Sequence, residues 1–520
     1  MGIFLNSIDI DNDFIFMAKH KYFVDKSKLI EPFNELIKSS DRFVCITRPR
    51  RFGKTINALM LACYYSNAID THDIFDKLKI SKSSSYLEHL NKHNVIFISF
   101  NTNIDEFDNY REYISYFKNS LIEDLREFYP NIPSRYKYLT DILDYIHEQT
   151  KQGFIFIIDE WDAIFDNKIF SQDDRKNFLT FLTVLLKDKS YVEFAYMTGI
   201  LPISKYSNST SLNTSQEYDA ISDGVYEEYF GFSEDEVVEL CKKQDKISID
   251  DLRDWYNGYY TSSGNRVYNP RSVVRALKDG ICKSYWTGTG KKRELLPYIS
   301  SNVAGLKDDI INMMAGNPVR IRLSGFDAES DANVSKNSAL SAMTILGYLS
   351  YHNMELNIPN KELLLEFKDT IADSNISGLS SIVTQSNAML KATLRQDTQT
   401  MEKLLDDFHA SYLSYFDYNQ ENALYCVITL LYLCAKDMYN ISAQDVAGLG
   451  RADFIFYPLN PRDTAFIIEL KVDDTPEAAI RQILDNKYDT KLAPYTGKKL
   501  AIGISYYKED KKHSVKIKEL

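Results

Sequence analysis

The stretch that most constrains this chain is Asp41–Leu61, DRFVCITRPRRFGKTINALML. A short apolar run, Phe43–Ile46, leads into an Arg/Pro turn, then Gly53-Lys54-Thr55, then residues of helical character. Strand, loop and helix in that order make a phosphate-binding P-loop, whose backbone N–H groups and first helical turn aim at phosphate oxygens. Lys54 is placed to reach the β- and γ-phosphates, and the Thr55 hydroxyl to ligate Mg²⁺. Arg48 stands where the general GxxxxGK[ST] pattern has its first glycine, and Pro49 biases it toward extended backbone. A chance GKT is the alternative in a chain of 520 residues, so a second feature has to support the first.

Gly153–Asp162, GFIFIIDEWD, supplies it: a continuous apolar run that reads as a parallel strand buried on both faces and ends in Asp159-Glu160. An Asp there can hold Mg²⁺ through water, and the neighbouring Glu can orient or activate the attacking water. A third apolar run, Phe194–Thr198, ends in Thr198-Gly199, where such an NTPase places a polar residue near the γ-phosphate. GKT followed about a hundred residues later by Asp-Glu predicts an ATP- and Mg²⁺-binding P-loop NTPase on a doubly wound α/β sheet, with its ligand at the carboxyl ends of the strands. Any arginine finger would come from Arg50 or Arg51 beside the GKT, or from a neighbouring subunit of a homo-oligomer.

Such a length exceeds one ordinary core and predicts three or four domains. Formal charge is −12, from 61 basic and 73 acidic residues, which argues against non-specific nucleic-acid binding by the whole surface while allowing a local basic site. No apolar run reaches membrane-spanning length, and the N-terminus shows no signal-peptide pattern. The six cysteines have neither CxxC nor His-paired spacing and read as reduced thiols, so the expected compartment is the cytoplasm. The basic stretch Lys498–Leu520 reads as a solvated lysine-rich tail.

Along the chain, residues 20–40 predict an amphipathic helix capped by Asp25 or Ser27. Polar Ser204–Ser222 separates the first domain, 1–225, from a helical lid, 226–300. There Ser233 caps one helix, Asn269-Pro270 starts another, and WYNGY makes an aromatic turn. A helical linker follows over 301–410, with an extended hairpin at Leu346–Asn360 and room for a winged-helix module. The last domain, 411–520, carries two β-rich runs, Ala452–Pro458 and Ala465–Val472, joined by the turn Leu459–Asp463. Asp453 lies on the first; Glu469 and Lys471 share one face of the second. Two carboxylates across a hairpin can hold Mg²⁺ against a phosphodiester while the lysine orients or deprotonates water. A salt-bridged strand pair is the alternative. Thr475-Pro476 opens a helix carrying Gln482 and Tyr488, and Glu421, opening a helix upstream, could add a third carboxylate.

The series YFVDKS, ITRPRRFGKT, IIDEWDA, WYNGY, VYNP and YWTGTG resembles the predicted AAA-ATPase-like family of bacteria. GLGRADFIF, IIELKV and AAIRQILDNKY resemble the PD-(D/E)XK nuclease domain that this family carries at its C-terminus. The resemblance implies an AAA/STAND-like ATPase fused to a restriction-endonuclease-like α/β domain. Lys54, Thr55, Asp159 and Glu160 match the ATPase positions; Gly53, Arg50, Arg51 and Thr198 complete the nucleotide site expected from the residues. Glu421, Asp453, Glu469, Lys471 and Gln482 match the nuclease positions, and Arg48 fits the family's own RPRRFGKT. Cys426 stands where the family pattern has a histidine. The expectation is an ATP-controlled, Mg²⁺-dependent nuclease acting on DNA rather than RNA. Its rival is a nucleotide-switched signalling or scaffold ATPase whose C-terminal domain binds nucleic acid or protein without cutting.

Overall fold

Five short segments rich in Val, Ile and Phe build the sheet that carries the phosphate loop: β1 (Phe43–Thr47), β2 (Asn94–Ser99), β3 (Phe154–Asp159), β4 (Val192–Gly199) and β5 (Gln216–Tyr218). All pair in parallel in the order β2-β3-β4-β1-β5. Alternation along each strand sends side chains to two separate cores. Cys45, Ile96, Ile98, Phe156, Ile158 and Met197 pack under the helices Tyr110–Phe128, Leu139–Thr150 and Gln172–Leu186. Val44, Ile46, Phe97, Ile155, Ile157 and Tyr196 pack on the other face, with the phosphate-loop helix Lys54–Tyr65. Burial on both faces explains why β3 reads as one unbroken apolar run, each such side chain contributing roughly 1.5–3 kcal/mol.

This computed structural model describes residues 2–102, 104–167, 169–203, 216–219, 224–286, 295–300, 303–323, 335–373, 379–412 and 421–520. Two compact units divide it: residues 1–285 with 322–354, and residues 286–321 with 355–520. Among the described residues no helix is long and apolar enough to cross a membrane.

In the first unit the expected helix over 20–40 shrinks to Ile30–Leu36, entered by a 3-10 turn at Ser27–Leu29. Asp25 accepts the Ser27 and Lys79 N–H groups (2.9 and 2.7 Å), and these bonds hold the preceding chain out of helical conformation. A helix the sequence did not suggest, Ile8–Ala18, buries Phe14 in the core shared with the phosphate-loop helix. Ser204–Ser222 is more than a separator, because β5 lies within it and pairs with β1; residues 204–215 and 220–223 lie outside the described residues. Ser233 caps Glu234–Cys241 with a full capping box. Asn269 caps Pro270–Asp279, its side chain accepting the Ser272 N–H (3.2 Å). Tyr259-Tyr260 of the aromatic turn pairs with Arg266-Val267 as a short antiparallel ribbon.

The second unit holds a mixed sheet of β6 (Tyr439–Ala447), β7 (Gly450–Pro458), β8 (Ala465–Val472), β9 (Lys499–Tyr507) and β10 (Lys512–Glu519), in that order. Every pairing is antiparallel except β8 with β9, which need a crossover; the helix Pro476–Asp485 supplies it. Lys498–Leu520 is therefore not a solvated tail. Leu500, Ile502, Ile504 and Val515 are buried and the stretch forms β9 and β10, with exposed Lys516 and Lys518 at alternate positions of β10. Of the expected hairpin, Ser350–His352 is extended in the first unit. Glu355–Asn357 belongs to the second, where Glu355 and Leu356 pair with Arg320 and Val319.

Candidate functional site

The phosphate loop turns on two residues of left-handed backbone, Arg51 (φ 74°) and Gly53 (φ 89°). At Gly53 open space surrounds the position of a Cβ, so glycine is required there for its φ and not for room. Lys54 opens the helix with its side chain buried, and its ammonium donates to the Arg48 and Pro49 carbonyls (2.8 and 2.9 Å). The loop thus closes around its own lysine. Burial lowers the Lys54 pKa, and the carboxylates of Asp162, Asp159 and Glu160 push it back up. Thr55 is exposed in the first turn and Arg50 half-buried. Arg51 reaches away and donates to the Tyr285 carbonyl (2.7 Å), while Arg48 donates to Thr47 and Tyr218 carbonyls (2.8 and 3.1 Å). Arg48 N–H also donates to the Gly199 carbonyl (3.1 Å), which ties the loop to the end of β4.

Sheet order sets the rest of this site. Because β4 lies between β1 and β3, Thr198 sits between the phosphate loop and the Asp159-Glu160 end. Asp159 is 2% exposed, and among the described residues neither its Oδ1 nor the buried Thr198 hydroxyl has a hydrogen-bond partner. Burial raises the Asp159 pKa, Glu160 adds to the rise, and the Thr55 hydroxyl and Lys54 counter it. Orphaned oxygens of this kind at the carboxyl edge of the sheet are costly unless a cation or water meets them, so the donor set fits Mg²⁺ with phosphate. Glu160 takes a left-handed φ of 48°, which for a non-glycine residue costs about 1–2 kcal/mol.

Sequence reasoning missed Asp162, although it stands in the quoted DEWD. Its Oδ2 accepts the N–H groups of Ile200 and Leu201 (2.8 and 2.7 Å), fixing the chain beyond Thr198. Gly199 is needed beside it, since a Cβ there would meet Asp162 Oδ1 at 2.6 Å and the Trp161 ring at 2.7 Å. Trp161 N–H donates to the Thr198 carbonyl (3.1 Å). The signal available in the sequence was a third acid two residues past the pair.

In the second unit, Phe454 stands opposite Ile468, which brings Asp453 and Glu469 together across the hairpin. Asp453 N–H donates to Glu469 Oε2 (3.3 Å), and Leu470 N–H to Asp453 Oδ2 (2.8 Å). Gln482 donates to Glu469 Oε1 and accepts from Lys471 (2.6 Å); Lys471 itself lies 3.9 Å from Glu469. Glu469 is 2% exposed, and burial first, then the Asp453 charge, raises its pKa to about 7. Two adjacent acids that disfavour joint ionisation are the donor set a divalent cation relieves. Glu421 opens the helix Glu421–Leu431, and its side chain lies outside the described residues. Among the described residues no group of three or more His, Cys, Asp or Glu is placed to hold a metal. Tyr488 lies beyond the Gln482 helix, in a 3-10 turn, because Lys487 adopts left-handed backbone and ends the run. Cys426 is buried and its thiol accepts from Asn317 Nδ2 (3.1 Å).

Comparison with known proteins matches one region in each of the two units. Residues 8–208 match the model of a predicted AAA-ATPase family, and residues 420–516 that of a PD-(D/E)XK nuclease superfamily. No curated protein matches the chain. Among solved structures, the Aeropyrum pernix ORC2 protein in its ADPNP–ADP complexes is similar over 93% of this chain and 94% of that one. The identity is 11% and the TM-score 0.24, and a likeness that slight carries no argument.

Proposed function

The chain joins a predicted AAA-ATPase region to a PD-(D/E)XK nuclease superfamily region, and from that premise we propose an ATP-controlled, Mg²⁺-dependent nuclease that cuts DNA. The observation that carries the reading is the assembly of Asp453, Glu469, Lys471 and Gln482 into one connected group around a buried carboxylate. Asp453 and Glu469 would hold the metal, which when bound supplies Lewis-acid stabilisation of the phosphodiester. Lys471, held by Gln482, is placed to orient the attacking water or take its proton. Glu421 is the third carboxylate of this reading.

In the first unit, ATP would displace the Lys54 ammonium from the Arg48 and Pro49 carbonyls onto its β- and γ-phosphates. Thr55 and Asp159 would hold Mg²⁺, Glu160 would orient water, and Thr198 would contact the γ-phosphate. Arg50 would contact phosphate from within the chain; Arg51 donates to the Tyr285 carbonyl. The domain division of the reading is ATPase (1–225), lid (226–300), linker (301–410) and nuclease (411–520).

The test is cleavage of labelled DNA with Mg²⁺ by the wild type and by Asp453→Asn and Glu469→Gln. Folded variants that cut nothing support a catalytic carboxylate pair. Activity that falls only in proportion to folded protein would leave a structural ion cluster instead.

A further inference from the structure

The exit of β4 is tied down at four consecutive residues. The Thr198 carbonyl accepts from the Trp161 backbone N–H, and the Gly199 carbonyl from the Arg48 backbone N–H (3.1 Å each). The next two N–H groups, of Ile200 and Leu201, both donate to Asp162 Oδ2 (2.8 and 2.7 Å). Two of these four ties run backbone to backbone; the other two depend on one side chain. Asp162 is 5% exposed and stands at the N-cap position of the short helix Ala163–Asp166, where an aspartate ordinarily caps. It makes no cap bond there and is turned to the β4 exit instead.

What these ties hold in place is Thr198. Ile157 and Tyr196 pack on the sheet face that carries the phosphate-loop helix. Asp159 and Thr198, two residues further along their strands, lie on that face as well. Both are buried. The Asp162 carboxylate also acts on the Lys54 ammonium, more strongly than those of Asp159 or Glu160.

We propose that Asp162 is a positioning residue for ATP hydrolysis: by holding Ile200 and Leu201 it fixes the Thr198 hydroxyl at the γ-phosphate, and so sets the rate of phosphoryl transfer rather than the affinity for nucleotide. The proposal rests on the ATPase reading of the phosphate loop and adds a residue to it. In the step concerned, the water oxygen bonds the γ-phosphorus while the bond to the β–γ bridging oxygen breaks, its electron pair leaving with ADP. One water proton stays on the phosphate and the other goes to solvent. Charge shifts over the phosphoryl oxygens during this exchange, so a contact fixed in advance is worth more than one gathered at the moment of reaction. A group displaced by about 1 Å can cost about 10²-fold in rate. ADP has no γ-phosphate, so its binding does not draw on Thr198.

The test compares the full wild-type chain with Asp162→Ala, Asp162→Asn, Thr198→Val and the Asp162→Ala/Thr198→Val double variant. ADP binding by calorimetry and single-turnover hydrolysis of labelled ATP with Mg²⁺ are the two readouts. Asp162→Ala and Thr198→Val should each slow hydrolysis by about 10²-fold. Acting as a unit, they should leave the double variant within about threefold of the slower single one, whereas independent effects would multiply to about 10⁴-fold. ADP affinity should hold or tighten in Asp162→Ala, since a negative charge near Lys54 is gone. Asp162→Asn keeps an oxygen for both N–H groups and should restore most of the rate, which separates the tie from the charge. Should Asp162→Ala fail to fold, Asp162→Ser, whose oxygen is one atom short of the same reach, takes its place in both arms. Wild-type hydrolysis by Asp162→Ala or by Thr198→Val, a double variant slowed by the product, or an ADP affinity that falls with the rate overturns the positioning role and leaves the ATPase reading standing. So does a folded Asp162→Asn as slow as Thr198→Val. A wild-type chain that binds neither ATP nor ADP overturns the ATPase reading and this proposal with it.

Discussion

Lys54 holds the two carbonyl oxygens of its own loop, an arrangement that nucleotide phosphates would replace. Lys54→Ala removes the charge and leaves the loop without its internal tie, so calorimetric ATP binding should vanish while the helix and sheet persist. An unchanged affinity would end the phosphate-loop assignment. Glu160, beside the buried Asp159 and strained at φ 48°, is the residue the proposal assigns to orienting water. Glu160→Gln keeps its shape and removes its basicity; ATP should still bind, and single-turnover hydrolysis should slow by roughly 10²-fold. A wild-type rate would reduce Glu160 to a solvated strand end. At this scale the sequence was legible where a spacing has one geometric meaning. Residues 469 and 471 must share a face of a strand, and GKT after a strand must open a helix. Asp162 was not legible, because its partners are backbone N–H groups of residues 200 and 201, which no sequence pattern displays.

The same contrast holds for whole elements. Segments buried on both faces, such as β3 and β4, announce themselves as apolar runs, whereas β5 (Gln216–Tyr218) is three half-buried residues whose pairing depends on β1 being there to receive it. The helix Ile8–Ala18 is the sharper case: its sequence, IDIDNDFIFMA, alternates like a strand, and packing against the phosphate-loop helix decides otherwise. That packing encloses Asp11, 1% exposed, with neither carboxylate oxygen hydrogen-bonded among the described residues. Burial raises its pKa to about 7, and the nearby Ser66 hydroxyl eases this only in part. Between the unfolded value near 4 and about 7, the folded protein keeps a proton that the unfolded chain has released, so stability falls as pH rises through this window and then levels off. Asp11→Asn should remove this dependence and stabilise the protein at pH 8 by about 2–4 kcal/mol, with little gain at pH 4. Denaturant unfolding at the two pH values checks it; an equal effect at both would show that Asp11 is not the titrating group.

At the scale of the whole molecule, the chain places the phosphate loop with Asp159 in one compact unit and the Asp453–Glu469 pair in the other, each unit with its own five-stranded sheet. The first unit takes in the ribbon and capped helices of residues 226–285, where Tyr285 receives Arg51 and Tyr259 packs its ring 4.9 Å from that of Phe52. Residues flanking the phosphate loop, Arg51 and Phe52, are thereby attached to residues 259 and 285, the physical route the proposal assigns to a nucleotide signal. The sequence did not show that residues 322–354 return to the first unit, because long-range packing leaves no local mark. The central claim is that ATP in the first unit controls phosphodiester cleavage by the second. The measurement that tests it most directly is the initial rate of cleavage of labelled DNA with Mg²⁺, with and without ATP, by the wild type, Lys54→Ala and Glu469→Gln. The account predicts an ATP-dependent rate for the wild type, loss of that dependence in Lys54→Ala, and no cleavage by Glu469→Gln with or without nucleotide. Cleavage by the wild type that ignores ATP and is matched by Lys54→Ala, or cleavage that survives Glu469→Gln, would contradict it.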